Sequence, residues 1–369
     1  MKIVICGYYG MGNTGDEAIL RGLQSVLGKI WADSEISVMG RGKLLPVGIR
    51  SFLKALVKPR LFLEPYRIIK SCDIFILGGG GLFTDEERPF VSLFWALHGY
   101  VAHLLKKKVL CLGISVGKIS FFNRWFVKKV LKVAKIVMVR DQHSQRIMEK
   151  MGIKSYLGCD FASMNFKTLC HGELVEPCQT NKRILRQAHD DNYIVISARP
   201  FKNIDEKLYT ILAQLCDTVI EKHGLAVKLI PFQKGEGNDS KILHKIFEQV
   251  RQKDKVKIEN FYENINELMQ TLANAQVVVS MRLHAGILSA LTGTPFIPLN
   301  YMEKVSDFWE MFPDIKPIDI NKINIDDLAE RFQNIYSNGR NNKAVFEKIS
   351  MDLRGKAQET EELLAKLLR

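Results

Sequence analysis

Short apolar runs that end in glycine or polar clusters, alternating with helix-patterned segments, constrain this chain more than any other feature. In the first half the runs fall at 2–6, 35–39, 73–77, 108–112 and 135–139. Helical patterns lie between them at about 15–29, 47–70, 88–107, 121–133 and 142–151. A second series opens at Tyr193–Ser197 and continues with strands near 226–230, 255–258, 276–279 and 295–298. The charged, periodic tail at 325–369 predicts two helices. Strand–helix alternation of this kind demands mostly parallel sheets with helices on both faces. At 369 residues the chain is long for one core and comfortable for two. The expectation is therefore an α/β protein of two domains facing across a cleft, residues 1–167 and 193–369. Between them, 168–192 is polar, weakly periodic and contains Pro177, so it reads as a linker or insertion with no assigned chemistry.

Composition narrows the class. Hydrophobic content of 47% and charged content of 25% suit a globular protein in water, and no apolar run approaches the ~18 residues of a membrane span. The N-terminus enters a strand at once, Lys2 to Cys6, without a signal-peptide cleavage pattern. Seven cysteines without a C-x-x-C pair fit reduced thiols, and the expected location is the cytoplasm. Charge is unevenly distributed: residues 1–170 hold 26 Lys/Arg against 12 Asp/Glu, whereas 171–369 hold 27 against 28. A basic half attracts phosphorylated substrates or an anionic lipid surface. Nucleic-acid reading motifs are absent, which argues against that partner. The dispersed histidines and carboxylates carry no metal-ligand spacing, so no metal is expected.

The chemistry-bearing residues gather where strands end, the side on which open α/β sheets bind ligands. Ser280-Met281-Arg282-Leu283-His284-Ala285-Gly286 follows a β-branched run, so that Arg282 offers a fork for a carboxylate or phosphate and His284 can move a proton. Gly7 to Glu17 contains Gly10 and Gly12 but departs from the dinucleotide fingerprint. Its glycines still let a ligand approach the backbone, with Asn13 and Asp16 beside a helix start. The four glycines Gly78 to Gly81, with Gly79 and Gly80 at their centre, read as a substrate-facing loop ahead of Asp85, a candidate to grip a hydroxyl. Arg140 and Asp141 end the fifth run, and Ser197-Ala198-Arg199-Pro200 and Pro231-Phe232-Gln233 end two runs of the second half.

In order, G-Y-Y-G…N-T-G-D-E-A, G-G-G-G-L-F-x-D, V-R-D-x-x-S, S-A-R-P, P-F-Q, S-M-R-L-H-A and the segment Pro298 to Val305 resemble the polysaccharide pyruvyl transferases. The branch acting on lipid-linked cell-wall saccharides is the most similar. The resemblance covers roughly residues 1–310 outside the 168–192 segment. It implies two Rossmann-like domains of the glycosyltransferase-B type and transfer of a pyruvyl group from phosphoenolpyruvate to two hydroxyls of a sugar, forming a cyclic ketal and releasing phosphate. It further implies that Arg282 and His284 serve donor binding and activity, with Arg199 or Arg140 assisting on the anion. His284 is either the acid that protonates the donor's methylene carbon or a phosphate ligand. Asp85 or Asp16 would accept the hydroxyl proton. The donor is a substrate, so no cofactor is implied. The basic first domain would take the acceptor, a lipid-linked or polymeric saccharide, and touch an anionic membrane surface peripherally. The segments Arg50 to Lys70 and Phe121 to Lys135 mix Lys/Arg with Phe, Trp and Leu as interfacial helices do. The resemblance departs at Ser197-Ala198-Arg199, where a Leu commonly precedes the Arg. Two rival readings stay open: a nucleotide-sugar-dependent glycosyltransferase on the same fold, and a non-catalytic binder of lipid-linked saccharide. The acceptor sugar and the oligomeric state, a homo-oligomer included, are not fixed by the sequence.

Overall fold

A computed structural model describes residues 1–45, 58, 60–170, 192–201, 206–235, 238–337 and 339–369, with the side chains of 166–170 and 339–343 excepted. Most of the 168–192 segment and the first part of the helix expected at 47–70 lie outside the described residues. The chain divides into two units. The first comprises Met1–Met11, Asp16–Met164 and Lys356–Arg369; the second comprises Gly12–Gly15 and Asn165–Gly355. These units differ from the expected 1–167 and 193–369 at three places: the C-terminal turns belong with the first unit, while four residues after the first strand and residues from Asn165 onward belong with the second.

In the first unit, strands β1 (Lys2–Cys6), β2 (Glu35–Met39), β3 (Ile74–Phe83), β4 (Lys108–Val116), β5 (Ile136–Val139) and β6 (Tyr156–Leu157) form one parallel sheet in the order β2-β1-β3-β4-β5-β6. Its helices are α1 (Thr14–Ile30), α2 (Arg60–Ser71), α3 (Val91–Leu104), α4 (Phe121–Val133) and α5 (Gln142–Lys150). The strands are buried on both sides, which is why they read as nearly continuous apolar runs rather than as alternation. The two-residue β6 has too little sequence to leave such a signal.

The glycine run departs from expectation. Gly78 to Gly81 were expected in a loop, yet β3 continues through them to Phe83. Packing supplies the reason: a Cβ on Gly79 would lie 2.0 Å from Ile19 Cγ2, and one on Gly78 would crowd Leu23, Ile5 and Tyr9. Gly79 and Gly80 also hold φ of +60° and +77°, which an L side chain resists. Much of the glycine run therefore lets α1 lie close against the sheet.

The second unit repeats the plan. Strands β7 (Tyr193–Ser197), β8 (Ala226–Leu229), β9 (Val256–Ile258), β10 (Val278–Ser280), β11 (Phe296–Asn300) and β12 (Ile318–Asp319) run parallel in the order β12-β11-β10-β7-β8-β9. The helices are α6 (Glu206–His223), α7 (Ser240–Gln249), α8 (Ile265–Ala273), α9 (Leu283–Leu291), α10 (Glu303–Trp309) and α11 (Ile325–Ser337). The long α12 (Gly339–Leu368) ends in the first unit. Both sheets reverse direction once, between β1 and β3 in the first and between β7 and β10 in the second. Parallel α/β sheets open a crevice at the carboxyl ends of strands at such a reversal. Among the described residues no helix is long and apolar enough to cross a membrane.

Inside the first unit, His98 is fully buried; its Nε2 accepts from Leu45 N at 2.8 Å and its Nδ1 lies 2.8 Å from Phe94 O. That pairing suits a neutral ring donating from Nδ1. Burial pushes its pKa down to about 4. The unfolded chain takes up this proton near pH 6.5 while the folded chain waits until about 4. Stability contributed by the neutral ring is therefore complete above pH 6.5 and declines as pH falls toward 4, by about 3 kcal/mol at most. His98→Gln, which keeps a donor and an acceptor but cannot titrate, is expected to flatten this slope. Urea unfolding of both proteins at several pH values between 7 and 4 checks it.

Candidate active site

At the reversal of the second sheet, β7 and β10 end side by side with Ser197 opposite Ser280. The chain leaves β10 through Met281 and Arg282, and α9 begins at Leu283, so His284 stands in the first turn of that helix. Arg282 is the extended residue ahead of the helix, and Ser280 Oγ donates to its carbonyl at 2.8 Å.

The Arg282 guanidinium does not project into open space. It is about 10% exposed and meets Asp239 with both Nε, at 3.0 Å, and Nη2. Asp239 is fully buried, and its Oδ2 also accepts from the backbone N of Phe232 at 3.0 Å. The loop thus anchored runs against Gly12–Gly15: Thr14 N donates to Phe232 O at 2.9 Å and Lys234 N to Gly12 O at 2.8 Å. Asn13 Oδ1 accepts from Gly15 N at 2.9 Å, capping the turn that starts α1. Gly15 in turn lies on the His284 ring, since a Cβ built there would come 2.1 Å from Nδ1. Arg282, Asp239, Phe232, Thr14, Gly15 and His284 therefore form a closed circuit of contacts that fixes the imidazole beside the strand ends.

Other polar atoms converge on the same edge. Ser197 Oγ, Thr14 Oγ1 and Asn300 Oδ1 are buried and have no hydrogen-bond partner among the described residues. Such atoms are free to meet a further polar group. Arg199 follows β7, donating from Nη1 to Tyr301 Oη at 2.9 Å, with the guanidinium 5.1 Å from the Tyr301 ring centroid. Of the residues expected to bind substrate, Arg282, Arg199 and Asn13 thus gather with His284 in this unit. Sequence reasoning missed Asp239, Ser197, Thr14, Asn300 and Tyr301. The strand-end position of Ser197 and Asn300 was readable, but the pairing of Asp239 with Arg282 spans 43 residues and left no local signal.

In the first unit, the reversal between β1 and β3 holds Gly10, Asp16, Gly79 and Gly80. Gly10 N donates to Glu17 Oε1 at 2.6 Å, and a Cβ on Gly80 would lie 3.4 Å from Asp16 Oδ1. Tyr9 donates from its hydroxyl to Gly78 O, and burial, with Asp16 among the nearby acids, pushes its pKa well up. Tyr8, edge-on to Trp95, is likewise raised by burial.

Two expected site residues are corrected. Arg140 is 2% exposed and pairs with Asp160 at 2.8 Å and Asp141 at 3.4 Å, so its guanidinium is spent inside the first unit and cannot reach an anionic substrate. Asp85 is a structural clamp rather than a base. Its Oδ1 accepts from Ser92 N and Oγ at 3.0 and 2.8 Å, and its Oδ2 from Ser120 N and Asn123 Nδ2 at 3.0 and 2.8 Å. Burial alone would raise its pKa, but those four donors outweigh burial and hold the carboxyl below its ordinary range. It ties the starts of α3 and α4 together. Arg282, expected as an anion ligand, engages Asp239 through Nε and Nη2 and so also holds the His284 circuit in place. Among the described residues no group of His, Cys, Asp and Glu could hold a metal ion.

The polysaccharide pyruvyl transferase family matches residues 13–303. The chain is 25% identical over 355 residues to the amylovoran biosynthesis protein AmsJ of Erwinia amylovora, an alignment covering 82% of this chain and 84% of that protein. Among solved structures it is similar to Anabaena HepE in complex with UDP and glucose, at 12% identity and a TM-score of 0.62, covering 100% of this chain and 99% of that one. It is similar as well to the UDP-GlcNAc 2-epimerase of Neisseria meningitidis bound to UDP-GlcNAc, at 13% identity and a TM-score of 0.60, covering 99% and 100%. At these identities the structural likeness establishes the fold, that of the glycosyltransferase-B-type UDP-sugar enzymes.

Two substitutions test the reassignments. Asp239→Ala leaves Arg282 buried and unpaired and is expected to cost about 3–5 kcal/mol, measured by denaturant unfolding. Asp85→Asn weakens charge-assisted hydrogen bonds at a half-buried site and is expected to cost about 1–2 kcal/mol while turnover stays within a few-fold of wild type. A large fall in turnover at unchanged stability would return Asp85 to the chemistry.

Proposed function

The chain belongs to the polysaccharide pyruvyl transferase family, and from that premise we propose that it transfers a pyruvyl group from phosphoenolpyruvate to a sugar of a cell-surface polysaccharide or its lipid-linked precursor. That it is a transferase of polysaccharide biosynthesis follows from the family and from the AmsJ relative; the donor, the ketal product and the acceptor are our reading. The observation that carries it is His284, held by Gly15 and the Arg282–Asp239 circuit at a strand-end crevice beside the unsatisfied Thr14 and Ser197 hydroxyls.

Phosphoenolpyruvate is a compact anion. The first turn of α9 points amide groups and a positive dipole end toward the crevice. Arg199 supplies a fixed cation beside it. In the reaction, the donor's methylene carbon gains a proton and becomes a methyl group, leaving an electron-poor carbon that two sugar hydroxyls attack. Two carbon–oxygen bonds form and the bond to the phosphate oxygen breaks. Of the two hydroxyl protons released, one balances the new methyl group and the other leaves with phosphate. His284 is assigned as the proton donor to the methylene carbon.

Purified protein is expected to release phosphate from phosphoenolpyruvate only when membrane-extracted lipid-linked saccharide is added. His284→Ala should lower turnover about 10²–10⁴-fold. Gly15→Ala, which displaces the ring without removing it, should lower turnover about 10²-fold. Thermal stabilisation by UDP-sugars with no response to phosphoenolpyruvate would replace this reading with the nucleotide-sugar transferase.

A further inference from the structure

Large apolar side chains are exposed on the first unit in one topological place. β2 to β3, β3 to β4 and β4 to β5 are successive crossovers in the same direction across the sheet. Right-handed crossovers therefore put α2, α3 and α4 on one face, and each helix starts at the sheet's carboxyl edge. At those three starts stand Leu61, Phe62 and Leu63 on α2, Phe90 before α3, and Phe121, Phe122 and Trp125 on α4, between 41% and 95% exposed. Phe121 is the extreme, at 95%.

Two further features set this rim apart from an ordinary surface. Each start carries an exposed arginine, Arg60, Arg88 and Arg124; Glu64 is exposed on α2, and the half-buried Glu86 and Glu87 precede Arg88, whereas Arg124 has no acidic neighbour on α4. None of the three helices has an acidic residue in its first turn to offset that charge. Positive charge at a helix start opposes the dipole and gives up stability. In addition, Phe90 holds its backbone at φ +66° while its ring faces water, a conformation that costs energy in a bulky residue. Neither choice serves the fold, so both point to something outside it.

We propose that this rim is a docking surface for an anionic lipid bilayer, with the Phe, Leu and Trp side chains entering the headgroup region and the arginines pairing with lipid phosphates. Charge selects this occupant over a second copy of the chain, whose identical α4 would bring Arg124, Lys129 and Lys132 against like charges. Farther along α4, Lys129 and Lys132 extend the positive surface, and α4 contains no acidic residue at all. Aromatic and aliphatic side chains flanked by Arg and Lys are the composition of a segment lying in a membrane interface. The proposal does not depend on the identity of the donor.

Co-sedimentation of the full chain with phosphatidylcholine vesicles, with and without phosphatidylglycerol, tests it. Each arginine near an anionic surface adds roughly a fivefold gain in partitioning. Arg60→Gln/Arg88→Gln/Arg124→Gln together should therefore weaken binding to phosphatidylglycerol vesicles on the order of 10²-fold. Phe121→Ser/Phe122→Ser/Trp125→Ser should abolish binding, with thermal unfolding and circular dichroism confirming that the fold survives. Brominated lipid should quench wild-type fluorescence more than that of Trp125→Phe, a readout that stands even if the triple variants fail to fold. Equal partitioning onto the two vesicle types, or equal quenching in wild type and Trp125→Phe, would overturn the proposal. So would a concentration-dependent dimer that the serine variant dissolves, which would give the rim to a second copy.

Discussion

Asp239 has to satisfy a guanidinium and a backbone amide at once, from a position without solvent, and the carboxyl edge of the second sheet depends on its doing so. Taking two charges out of water is expensive, and the attraction between them repays it only when the remaining lone pairs are also used. Here they are: Arg282 approaches with two nitrogens and Phe232 N takes a further share of Oδ2. The consequence is mechanical. The loop after β8 is held where its carbonyl can receive Thr14 N, and Gly15 is brought onto His284. Held through two nitrogens, Arg282 fixes the imidazole beside the strand ends.

The first unit uses the same physics for a different end. Arg140 between Asp141 and Asp160, and Asp85 among four donors, are buried or half-buried charges consumed in tying elements together. Asp141 also caps α5, accepting from Ser144 N at 2.7 Å. Charged residues at strand ends thus divide into those facing a crevice and those folded back as staples.

That division explains what could be read in the sequence. The parallel α/β plan was legible because β1, β3, β4 and β7 are buried on both faces and so appear as unbroken apolar runs. Strand ends were legible too, and there Arg282, Arg199 and Asn13 gather with His284 in the second unit. The direction a side chain takes once it leaves the strand was not. Arg140 and Arg282 look alike in sequence, each following an apolar run, and their partners Asp160 and Asp239 stand 20 and 43 residues away. Only the folded chain brings such partners together. The glycine run failed differently: four glycines suggested room for a ligand, whereas part of that room is taken by Ile19 of α1. Composition reports that a backbone must be approached closely, and says nothing of what approaches it.

Surplus charge obeys a similar rule. The first 170 residues hold 14 more basic than acidic side chains, and the buried Arg140 shows that a total cannot be read as a surface. What gives the surplus meaning is where it meets exposed apolar groups. Along α4 the buried positions Asn123, Val127, Val130 and Leu131 face the first unit, while Phe121, Phe122, Arg124, Trp125, Lys129 and Lys132 face outward. A helix needs only one apolar face to join a core. Further aromatic residues on the outward side of α4, mixed with positive charge and without acidic residues, touch that core through Phe126 and stay largely in water. The outward face of α4 and the starts of α2 and α3 share that composition, exposed apolar side chains beside positive charge, which is what the proposed bilayer contact would use as one surface and not as three local irregularities.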